Sequence, residues 1–78
     1  MHTRSNKSIA IREIVNAWIA ANAPDQKWTV NDNLSAAPEV TITLAGFLPK
    51  TFSDDDHFSP GPLKREIEAW LAQTLRKD

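Results

Sequence analysis

The 78 residues suffice for one domain and leave no room for a second, and a chain of this size buries only about 60% of its unfolded surface on folding. A net charge of −1 argues against nucleic acid as a partner, since a dedicated nucleic-acid surface carries a clear excess of Lys and Arg. The absence of cysteine excludes disulfides, thiolate metal sites and cysteine nucleophiles together.

Small secreted domains ordinarily rely on disulfide staples, so the expected location is cytoplasmic. The N-terminal MHTRSNKS is polar and no long apolar run follows it, which reads as neither a signal peptide nor a membrane anchor. Charge is unevenly spread. Residues 1–23 and 59–78 are mildly basic, and the stretch between them is acidic through Asp25, Asp32, Glu39, Asp54, Asp55 and Asp56.

Residues 1–7 are expected to be a flexible N-terminus, followed by a single α+β domain over 8–78. Ser8 is a natural helix N-cap, because its hydroxyl can accept from a free amide of the first turn. From Ile9 to Ala21 the apolar side chains recur at helical spacing: Ile11, Ile14, Val15 and Trp18 form one stripe, with Arg12, Glu13 and Asn16 opposite. Asn22, Ala23 and Pro24 end the helix, since proline disfavours helical geometry in the residue before it.

Lys27 to Asn31 reads as a short strand with Trp28 and Val30 on one face. Asn31-Asp32-Asn33 reads as turn chemistry. Glu39 to Leu48 is the main strand: Val40, Ile42 and Leu44 alternate with Thr41 and Thr43, the period of a strand with one buried face. Gly46 marks a bulge or a close backbone approach near its end, and Pro49 closes it. Lys50 to Phe58 supports two readings, a short third strand over Lys50 to Phe52 or a helical turn capped by Ser53 with Asp56. In the last element Ser59 caps and Pro60 takes the first helical position. Leu63, Ile67, Trp70, Leu71, Thr74 and Leu75 then form a clean apolar stripe.

The expected fold is therefore a small two-layer α+β domain in the order α-β-β-α. Two amphipathic helices pack on one face of a small antiparallel sheet, with Trp18, Trp28 and Trp70 filling the layer between. A two-stranded sheet is marginal alone, so either a third strand completes it or an exposed edge pairs with another chain, as in a symmetric homodimer.

For chemistry, Asp54-Asp55-Asp56-His57 offers metal-ligand side chains. Four consecutive residues diverge along any regular backbone, however, and match neither an EF-hand loop nor an HExxH helix. A solvated acidic loop near the positive N-terminus of the last helix accounts for them without a metal. Base catalysis by His57 would need a nucleophile or substrate in reach, and no nucleophile elbow, P-loop or dinucleotide fingerprint appears. The reading is no enzyme, no cofactor and no metal. Phe47, Phe52 and Phe58, close to the acidic loop, suggest apolar anchors inside an acidic rim. The candidate partner-binding residues are Phe47, Phe52, Asp54, Asp55, Asp56, His57 and Phe58.

The functional expectation is a non-catalytic protein–protein interaction module: an adaptor, inhibitor or assembly factor of the phage or plasmid accessory kind, with a larger protein as partner and no membrane contact. The alternative is a small nucleic-acid-binding regulator using Lys64, Arg65, Arg76, Lys77 and Arg12 on the helices.

Overall fold

The computed structural model describes residues 6–33, 37–54 and 58–75. The elements run helix α1 (Asn6–Asn22), strands β1 (Trp28–Asn33), β2 (Glu39–Leu44) and β3 (Lys50–Ser53), and helix α2 (Pro60–Leu75). The order is thus α-β-β-β-α, one strand more than α-β-β-α, and of the two readings of Lys50 to Phe58 the strand is the one adopted. The sheet is an antiparallel meander, β1-β2-β3. The small α+β class expected from the sequence is what the chain forms.

Register explains which side chains are buried. Val30 lies opposite Ile42 and Val40 opposite Phe52, so Val30, Val40, Ile42, Leu44 and Phe52 share one face, and all five are buried. Thr29, Asn31, Thr41, Thr43 and Thr51 point the other way, where the Thr41 and Thr51 hydroxyls lie 3.2 Å apart across the strands. From α1 come Ile11, Val15 and Ile19, and from α2 Leu63, Ile67 and Leu71, completing one apolar cluster with the sheet residues. The tryptophans do not fill it. Trp18, Trp28 and Trp70 are half-buried at its margin, because the smaller Ile, Val and Leu side chains already occupy the space between the elements.

Three boundaries differ from expectation and one agrees. The first helix begins at Asn6, so Ser8 is no cap: it is a fully buried residue of the first turns. Asn31-Asp32-Asn33 is strand rather than turn, held by pairing with Thr41, Val40 and Glu39. The main strand stops at Leu44 rather than Leu48. At the second helix Ser59 does sit at the cap position: its carbonyl accepts the first helical bond, from the Leu63 N–H at 3.1 Å.

Both helices run the same way. The Ser8 side chain of α1 touches Asp32 at the end of β1, and α1 leads through Ala23 to Gln26 back to the start of that strand. Helix α2 follows β3, and Glu66 reaches Lys50 at the start of that strand, with Leu75 beyond it beside Ala23 and Phe47. One end of the molecule therefore holds both helix N-termini with Asp32 and Asp54, and the other holds both C-termini with the β2–β3 turn.

Candidate functional site

At the C-terminal end of the helices the chain turns sharply out of β2. The Phe47 N–H donates to the Leu44 carbonyl at 3.0 Å, and Gly46, third in that turn, has φ +89°. This is the type II pattern, whose third residue must be left-handed. A Cβ on Gly46 would meet nothing within 4 Å, so conformation rather than space demands glycine. Gly46→Ala is expected to lower stability by about 1–2 kcal/mol in urea unfolding, the cost of an L-residue held left-handed. The turn thrusts out the next two side chains: Phe47 is 43% exposed and Leu48 85%. Pro49, with its φ fixed by the ring, follows them. Phe47 also walls a cleft of about 320 Å³ with Ala23, Pro24, Gln26 and Leu75.

The acidic-aromatic patch does not assemble as one surface. Phe52 is a core residue, 7% exposed, because its position opposite Val40 turns it toward the helices. Phe58 is half-buried against the same cluster. Asp54 is half-buried, and its N–H donates to the Pro38 carbonyl at 2.9 Å, closing the end of the β2–β3 pair. Asp55, Asp56 and His57 lie outside the described residues. Strand β3 separates Phe47 at one end of the molecule from Asp54 and Phe58 at the other. Among the described residues no group of three His, Cys, Asp or Glu is placed to hold a metal ion, and no helix is long and apolar enough to cross a membrane.

Sequence reasoning missed a polar cluster beneath α1. The Ser8 hydroxyl donates to Asp32 Oδ1 at 2.5 Å, and Arg12 Nη2 lies 3.5 Å from Asp32 Oδ2. Asp32 shares the core face of β1 with Val30, so a carboxylate on that face needs these partners. Arg12 Nε is buried and has no hydrogen-bond partner among the described residues. No short motif signals such a cluster, because its members are brought together only by the packing of α1 on β1.

The sheet has two unequal edges. Strand β3 has four residues and starts directly after Pro49. Its Lys50 is held 3.5 Å from Glu66 and lies 5.1 Å from the Phe52 ring centre. A short strand with a charged side chain and a flanking proline is a blunted edge. Strand β1 has six residues and no proline, glycine or lysine. The Ala45 N–H donates to the Lys27 carbonyl at 3.0 Å, which makes Lys27 and Ala45 a bonded pair. Alternation along an antiparallel ladder then turns the backbone groups of Thr29 and Asn31 inward to β2 and those of Trp28 and Val30 outward. The Gln26 side chain ties the start of this hairpin, donating to the carbonyls of Lys27 and Ala45 at 2.9 and 3.1 Å. An open cleft of about 600 Å³ lies there, bordered by Gln26, Lys27, Trp28, Thr29, Thr43 and Ala45.

Comparison with protein-family models, with curated proteins and with solved structures found no match to this chain.

Proposed function

We propose that the chain is a non-catalytic protein-interaction module, an adaptor, inhibitor or assembly factor that docks on a larger protein through the Phe47–Leu48 turn. The observation that supports this reading is the exposure of those two adjacent side chains on a turn constrained by Gly46 and Pro49. Large apolar groups held out to water gain free energy when a partner covers them, at about 25 cal/mol per Å² removed from solvent. A constrained turn also loses little conformational entropy on docking. The half-buried residues beside it, Gln26 and Leu75, supply a mixed rim around the anchors.

The test is affinity capture from the source cells with immobilised wild-type chain and with the double variant Phe47→Asp/Leu48→Asp. A partner held by the wild type is expected to be lost at least tenfold with the double variant, while the thermal melt stays within about 2 °C, as surface changes far from the core usually allow. A partner retained equally by both proteins would sink the assignment. The triple variant Asp54→Asn/Asp55→Asn/Asp56→Asn, run alongside, reports whether the acidic segment adds a contact of its own.

A further inference from the structure

We propose that β1 is the interface between two copies of this chain, which join antiparallel about a two-fold axis at Val30 so that two three-stranded sheets become one of six strands. Edge asymmetry is the first support: β3 is short and blunted, whereas β1 is long, free of proline and glycine, and directs the backbone groups of Trp28 and Val30 away from β2. Such groups are a template for another strand.

The second support is that β1 is complementary to itself. With Val30 opposite Val30 of the second copy, Thr29 faces Asn31, Trp28 faces Asp32 and Lys27 faces Asn33. No like charges meet anywhere along this register. The solvent-face pair is short and polar, and the core-face pair sets the indole of one copy beside the Asp32 side chain of the other, an aromatic next to a carboxylate with no charge repulsion. Sliding the second copy by two residues breaks this match, either pairing Asn31 with itself and Val30 with Asp32, or leaving Asp32 beyond the overlap opposite Gln26. The occupant that reads the strand correctly in both directions is a second copy, and an isologous contact of this kind closes on itself without extending into a filament.

The absence of cysteine makes the register directly testable. Thr29 and Asn31 are exposed, and facing residues of a pair without backbone bonds bring their Cβ atoms within disulfide range. Thr29→Cys and Asn31→Cys are prepared separately and oxidised alone and as an equal mixture. The expected result is cross-linked dimer in the mixture, at least fivefold more than with either variant alone. Cross-linking of one variant with itself at the level of the mixture, or none in the mixture, would overturn the register. Light scattering of the wild type reads the dimer itself. Twice the chain mass at tens of micromolar is expected, falling to the chain mass in Thr29→Lys/Asn31→Lys, which sets lysines opposite each other in the dimer yet leaves them exposed in a monomer. A wild type that stays at the chain mass would overturn the proposal, and so would a lysine variant that remains dimeric. Circular dichroism of the lysine variant confirms that any loss of mass is dissociation of a folded chain.

Discussion

Ile42→Ala lowers the free energy of unfolding by about 3–5 kcal/mol, the range for removing most of a buried isoleucine from a core that cannot collapse onto the gap. Ile42 sits in the central strand with neighbours on both sides, Val30 on β1 and Lys50 on β3, and is fully buried in the cluster that includes both helices. No neighbouring element can move in without dragging the rest. A domain of this length has a total stability of about 4–12 kcal/mol, so this one change removes roughly a quarter of it or more. Ile42→Val, which deletes a single methylene, costs about 1 kcal/mol and serves as the scale. Urea titration of the three proteins checks the expectation, and an alanine variant within 1 kcal/mol of wild type would mean that the centre of the core lies elsewhere. Trp70→Ala, by contrast, falls below Ile42→Ala in cost, since the indole is only half-buried at the margin of the cluster.

Asp32→Ala is the second large effect, about 2–4 kcal/mol. Its carboxylate accepts from the buried Ser8 hydroxyl and lies 3.5 Å from the Arg12 guanidinium, with the Arg12 and Asp32 side chains 24% and 17% exposed. Removing it takes the carboxylate away from a buried hydroxyl and from a largely buried cation, and those lost interactions carry most of the cost. The same physics requires a recovery. Ser8→Ala and Arg12→Met added to Asp32→Ala remove the polar groups that faced the carboxylate, and the triple variant returns to within about 1 kcal/mol of wild type. Chemical denaturation of the single, double and triple variants measures this coupling; simple additivity of the three losses would show that the groups do not act as a unit.

Much of the fold was legible because its signals are local. The strict alternation of Val40, Ile42 and Leu44 marks β2, and the spacing of Leu63, Ile67 and Leu71 after Ser59-Pro60 marks α2, without knowledge of any partner. The third strand was harder, since four residues carry barely two alternations. Asp32 and Ser8 were misread for a single reason. A turn residue and a helix cap are what those side chains do when they bond locally, whereas here they bond each other across 24 residues of sequence. The candidate site was less legible than the fold. Three phenylalanines close in sequence looked equivalent, but a strand sends alternate residues to opposite faces, and only the register decides that Phe52 goes inward while Phe47, outside the strands, stays out. Leu48, the most exposed large apolar side chain among the described residues, was assigned to a strand that ends before it.

Helix α2 reaches its place beside α1 only after everything between them has been made, and that orders events during synthesis. The β1–β2 and β2–β3 hairpins join near neighbours in sequence, so closing them costs little loop entropy and does not need α2 to have been made. Contacts between α1 and α2 span most of the chain. Until residues 60–75 emerge, the apolar cluster lacks Leu63, Ile67 and Leu71, and the sheet and α1 residues of that cluster are without the cover these three provide. A chain halted before that point presents a sticky apolar face to chaperones and to its neighbours on the polysome. Docking of the last helix is the step that takes this face out of water.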